Sequence, residues 1–275
     1  MLTAMATGYL DYALNTTQYF RNLEQTEKVG VSFLLGEAFP HWFATERMNL
    51  EFLLHVASLD SIAWGTAPAS VAAKEGASTP SPKSRPDFVG FRQAERHVFE
   101  SKGRIRRPAV KVIGKALGQA SALLSVNGTP PTTRCATFFM LKASGTEGQV
   151  IDPPGIGQGV TVTFDELEAV RAAYTFFLEG ENVDLADAMG EDYVGRDIET
   201  GVFFGVDKKV LDVAGADLPA ATDARRGRVT EVFQLLAHRA DVYRGRREEN
   251  ASAGLDGTLL VDRRAGGIRR RRSRA

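Results

Sequence analysis

The stretch RHVFESKG, residues 96 to 103, decides how this chain is read. His97, Val98 and Phe99 suit a buried strand, and Gly103 punctuates its end. Glu100 and Lys102 do not. Alternate residues of a strand share a face, so these two opposite charges point the same way. A charge within an apolar run is costly unless something pairs with it. Either the two form a cross-strand ion pair on a solvated face, or something charged lies in front of them.

The surrounding sequence sets the strand in a sheet. EKVGVSFLLGEAFPHWFATERM has a helical period, with Pro40 as a kink or boundary. LEFLLHVASL (50–59) is a continuous apolar run that reads as a buried strand. The Ala-, Ser-, Pro- and Gly-rich residues 66–85 read as a flexible loop. PDFVGF (86–91) is a second strand and RHVFESKG its neighbour. AVKVIGKALGQASALLSVNG repeats apolar residues at three- and four-residue intervals up to Asn127-Gly128, which predicts one amphipathic helix. CATFFMLKA (135–143) follows as a strand, with GQVIDPP (148–154) as its hairpin partner through residues 144–147.

The composition bounds the partners. The 275 residues suffice for one large domain or two modest ones. No apolar stretch is long enough to cross a bilayer, and the N-terminus lacks the layout of a secretory signal, so a cytoplasmic protein without a membrane partner is expected. One cysteine, Cys135, excludes an intramolecular disulfide, and four scattered histidines offer no structural zinc site. The net charge of zero conceals an asymmetry: the last thirteen residues carry seven arginines and no acid. Without them, 27 basic residues face 34 acidic ones. A second basic island of ten Lys or Arg against three acids runs from Lys83 to Lys115, around the unusual strand. Such islands fit a polyanionic partner; a basic tail is equally often a solvated, disordered end.

Helix, strand, strand opening with Pro86-Asp87, strand closing with Glu100-Ser101-Lys102, helix, strand: this order resembles the core of the PD-(D/E)xK nuclease superfamily. The resemblance covers residues 28–152 and implies an α/β, restriction-endonuclease-like core (α-β-β-β-α-β, mixed sheet) with an appended C-terminal α/β region. It implies that Asp87 and Glu100 bind Mg²⁺ or Mn²⁺ and that Lys102 assists the attack on a DNA phosphodiester. It also implies that an acid from the first helix joins the site, for which Glu37 is the candidate; a surface helix Glu is the other reading. Relatives serve in restriction, phage defence and repair. Gln119, one helix later, would support the site, while Arg104, Arg106, Arg107, Lys111 and Lys115 would hold the nucleic-acid backbone. A homodimer or partner subunit fits cleavage of both strands.

The chemistry is coherent without the resemblance. Mg²⁺ prefers a few carboxylate oxygens plus water and phosphate. The metal lowers the pKa of bound water and offsets charge growing on the phosphate. Asp207-Lys208-Lys209 also fits an acid-x-Lys pattern, but is expected to be a hairpin turn. The rival reading is a nucleic-acid-binding or scaffold protein without turnover, and a third is an α/β interaction protein with a basic tail.

The organisation expected is a helical segment over 1–27, with Asn15-Thr16-Thr17 as the place for a break, the nuclease-like core over 28–158, an α/β region over 159–262 and a disordered Arg-rich tail over 263–275. In the third part, Thr163 with Glu166 reads as a capping box. Residues 192–214 read as one or two hairpins, 225–245 as a long helix and 257–262 as a last strand.

Overall fold

A computed structural model describes residues 8–11, 13–58, 63–66, 85–142, 144–152, 159–184, 192–248 and 250–264. Most of the expected 66–85 loop, residues 153–158 at the end of the expected core and all but the first two residues of the Arg-rich tail lie outside the described residues. The chain is mixed α/β and divides into two compact units. One comprises the chain up to Met48 with Leu53–Phe164; the other comprises Asn49–Phe52 and the chain from Asp165. No helix among the described residues is long and apolar enough to cross a membrane.

In the first unit a short helix α1 (Gln18–Asn22) is capped by the Thr17 side chain, so the expected helical segment is broken at Asn15-Thr16-Thr17. Leu10 and Thr16 form an isolated β-bridge just ahead of it. Helix α2 (Gln25–Met48) runs unbroken past Pro40. The apolar run that follows is shorter as a strand than expected: β1 (Phe52–His55) passes into a 3₁₀ turn at Val56–Ser58. After β2 (Ala63–Thr66) come β3 (Phe88–Arg92) and β4 (Glu95–Arg104).

Helix α3 (Val110–Ser121) ends well before Asn127. Leu123–Val126 is strand β5, which pairs parallel with β8 (Val160–Thr163). Its apolar residues continue the helical spacing by coincidence, and the hydrogen bonds offered by β8 override it. Asn127 and Gly128, both at positive φ, then turn the chain. Strands β6 (Thr133–Lys142) and β7 (Gly145–Ile151) form an antiparallel hairpin with a tighter turn than the four residues expected.

The main sheet has the order β1-β3-β4-β6-β7. β3 and β4 are antiparallel, β4 and β6 parallel. Helices cover both faces. On one, Ser101 and Gly103 meet α2: the Ser101 hydroxyl donates to the Gly36 carbonyl at 2.8 Å, and a Cβ at Gly103 would collide with the Ser32 carbonyl. Gly36 and Gly103 lie so close that neither tolerates a side chain, which presses α2 onto the strand. On the opposite face, α3 packs Ala116 against Ala136, Phe138 and Met140 of β6. Ala136 and Phe138 stand in register with Glu100 and Lys102, so those charges share the α3 face.

In the second unit, the first helix α4 (Glu166–Ala173) is capped by Asp165, whose carboxylate accepts from Leu167 N and Glu168 N at 2.9 and 3.0 Å. Thr163 is not the cap, because it is held in β8 opposite Ala63. Helix α5 (Thr175–Leu178) and strand β9 (Val183–Asp184) follow. The hairpin of β10 (Tyr193–Glu199) and β11 (Val202–Asp207) is as expected, but residues 208–215 are not strand. They form helix α6 (Lys208–Gly215), capped by Asp207. Helix α7 (Thr222–Gly245), then β12 (Arg247–Glu248), β13 (Ala251–Ala253) and β14 (Thr258–Asp262), complete a six-stranded sheet of order β12-β13-β14-β11-β10-β9.

Candidate active site

The register of β3 on β4 builds the site. Phe88 stands opposite Phe99, so the next pair outward is Asp87 and Glu100, thirteen residues apart in sequence but side by side in space. Asp87 Oδ2 accepts the Ser101 N–H at 2.8 Å, which ties the residue to the end of β4. The Asp87 carbonyl accepts from Val56 N at 2.8 Å, bringing the end of β1 to the same edge.

Glu100 is wholly buried. Lys102 Nζ donates to its Oε1 and to the Ser101 carbonyl at 2.9 Å, and lies 3.7 Å from Asp87 Oδ2. The opposite charges of the strand therefore pair on one face, as alternation requires, with Glu100 fully buried and Lys102 and Asp87 only part-buried. Burial is the main cause that pushes the Glu100 carboxyl up to about 8; the neighbouring Asp87 pushes the same way and Lys102 opposes both. Its carboxyl shares a hydrogen bond with Asp87, while its second oxygen, Oε2, is buried and receives no N–H or O–H among the described residues. An unsatisfied buried carboxylate oxygen is expensive and calls for a proton or a cation.

Glu37 on α2 belongs to the same cluster. Burial pushes its carboxyl up to about 7, Asp87 adds to this, and Lys102 and the Ser101 hydroxyl pull it back. It is no free surface glutamate. His55, which the sequence reading passed over, lies with Nε2 3.9 Å from Glu37 Oε2, while its Nδ1 accepts the Ala57 N–H at 3.1 Å. The signal for it was a polar residue closing the apolar strand Phe-Leu-Leu-His.

The remaining candidates separate by position. Gln119 Nε2 donates to the Arg85 carbonyl at 3.4 Å, next to the Pro86-Asp87 segment, and its Oε1 is buried and unpartnered among the described residues. Arg104, Arg106 and Arg107 lie along the connection from β4 to α3, with Arg106 and Arg107 exposed. Lys111 and Lys115 are exposed on α3. His97 is buried, with Nδ1 2.9 Å from Thr133 Oγ1, in keeping with its reading as a packing residue. The decoy triplet fails for a reason other than a hairpin turn. Asp207 is buried, caps α6 through Lys209 N, accepts from Tyr243 Oη at 2.9 Å and is ion-paired with Arg239.

Among the described residues, no three of His, Cys, Asp and Glu stand together as a ready-made metal-binding group. The donor set nonetheless suits a hard divalent cation. Asp87 and Glu100 offer only oxygen, and Glu37 is coupled to Asp87 beside them. The charge that Mg²⁺ would bring is supplied in the structure by the Lys102 ammonium. No family model matches the chain, and neither does any curated protein or solved structure.

Proposed function

We propose that this chain is a metal-dependent phosphodiesterase acting on DNA, with a restriction-endonuclease-like core formed by α2, β1, β3, β4, α3 and β6. The observation that carries the reading is Glu100. It is a fully buried carboxyl group that shares a hydrogen bond with Asp87 and pairs with a lysine two residues on. Packing alone gives no reason to bury it. The element order and the parallel pairing of β4 with β6 support the same reading.

Asp87 and Glu100 would hold Mg²⁺ or Mn²⁺, with Glu37 beside them. The ion would supply an acidified water and charge compensation on the phosphate. The residues of the chain contribute the rest. Lys102 is a compact, mobile cation that offsets charge on a non-bridging phosphate oxygen. Glu37, with its carboxyl raised to about 7, can hold or accept a proton near neutral pH. Hydrolysis adds water across one P–O bond, giving a phosphomonoester and a free hydroxyl. A homodimer or partner subunit would allow both strands to be cut.

Incubation of supercoiled plasmid with Mg²⁺ or Mn²⁺, against EDTA, tests the proposal. Nicking that needs metal and is lost in Lys102→Ala and Glu100→Gln is the expected result. Absence of nicking on duplex and single-stranded DNA, with no heat of metal binding, refutes it. One observation favours a second reading, a nucleic-acid-binding protein without turnover: Lys102 Nζ already occupies Glu100 Oε1, where a metal ion would bind. In that case DNA binds equally well in EDTA and no product forms.

A further inference from the structure

Beyond the carboxylate cluster, a cavity of about 350 Å³ opens between the start of α2 and the β4–α3 connection. It begins at Gly103, the neighbour of Lys102, on the α2 side of the sheet. Its walls are largely apolar, from Val29, Ile105, Pro108 and Val112. Three arginines also line it: Arg104, Arg106 and Arg107. Arg104 Nε is buried without a hydrogen-bond partner among the described residues. Arg107 acts at a distance on Glu147, which is already paired with Lys142. The first turn of α3 opens toward this loop with Ala109 at its N-cap, where no side chain bonds the free N–H groups.

Apolar walls, a volume near the lower end for small-molecule sites and a concentration of guanidinium together select a ligand with a flat or apolar body and a strong negative charge. We propose that this cavity takes one nucleotide, its base against Ile105 and Pro108 and its phosphate on the arginines. It lies past the end of β4 on the α2 side, where Gly36 packs on Gly103 and Glu37 follows in sequence, and from that side it holds the nucleotide flanking the bond that the cluster cuts. That second statement rests on the phosphodiesterase reading; the nucleotide site itself does not.

The test uses the full chain in EDTA, where no turnover occurs. Deoxyadenosine 5′-monophosphate, deoxyadenosine and inorganic phosphate are titrated calorimetrically into the wild type, Arg106→Glu/Arg107→Glu and Gln25→Trp. The arginines are exposed, and Gln25 is an exposed residue at the cavity rim, so all three proteins should fold. The monophosphate should bind at least about tenfold more tightly than either fragment, and the arginine variant should lose about tenfold or more. Equal binding by wild type and both variants, or none at millimolar nucleotide, overturns the site. Competition by a single-stranded oligonucleotide supports a strand nucleotide as the occupant. If only the free monophosphate binds, the flanking role is overturned and the cavity is a site for a free nucleotide. Nucleotide binding without metal-dependent nicking leaves the site standing and removes the phosphodiesterase reading.

Discussion

Glu100→Gln should make the first unit more stable as pH rises relative to the wild type, and the size of the effect follows from burial. In the unfolded chain the Glu100 carboxyl titrates at its ordinary value of 4.5; in the fold, burial holds the proton until about 8. Between those values the unfolded state binds fewer protons than the native state, so wild-type stability falls as pH rises from 4.5 to 8 and is level above that. At 1.36 kcal/mol per unit, the full loss is roughly 4 to 5 kcal/mol, of which about 3 kcal/mol is gone by pH 7. Glutamine fills the same space and does not titrate. Both tryptophans, Trp42 and Trp64, lie in the first unit, so urea unfolding followed by Trp fluorescence reports on it alone. Run in EDTA from pH 4 to 9, the variant should gain about 3 kcal/mol on the wild type by pH 7 and the full amount by pH 9. Titrating groups away from the cluster occur in both proteins and cancel in the difference, leaving Glu100 and the Asp87 and Lys102 groups coupled to it. A gap that stays constant within about 1 kcal/mol across this range refutes the account, because Glu100 would then ionise as readily folded as unfolded.

Three further expectations follow from particular contacts. Lys102→Met removes the ammonium that satisfies Glu100, so calorimetry should show Mg²⁺ binding retained or tightened while nicking is abolished; metal binding lost with the lysine would contradict the ligand assignment. Gly103→Ala places a Cβ on the Ser32 backbone and should cost about 1–3 kcal/mol in urea unfolding, with a matching loss of activity as α2 is forced from the strand. Asp165→Ala should destabilise the second unit by about 1 kcal/mol, whereas Thr163→Ala should leave helix α4 unchanged; circular dichroism melts of the two variants separate the real cap from the apparent one.

How far the sequence could be read depended on the range of the deciding interaction. Alternation along β4 is local, and it exposed Glu100 and Lys102 directly. The helical period of α2 and α7 and the turn at Asn127-Gly128 were equally legible. The helix expected through residue 126 was not, because Leu123 and Val126 fit either period, and the choice fell to a parallel partner far along the chain. Thr163 and Asp165 are both good caps; pairing in β8 removed the first from contention. The triplet at Asp207 was set aside as a turn, whereas its side chain is in fact consumed by Lys209 N, Tyr243 and Arg239.

The sequence by itself determined that two opposite charges share one face of an apolar strand, that a Pro-Asp precedes it and that a basic island surrounds it. These are properties of covalent order and two-residue period. Only the tertiary structure decided that Glu100 on this face is fully buried, that register sets Asp87 beside it, and that close contact between Gly36 and Gly103 brings Glu37 into the cluster. It also added His55. Burial and proximity across strands arise from packing between elements distant in the chain, and these raise two carboxyls into the neutral range.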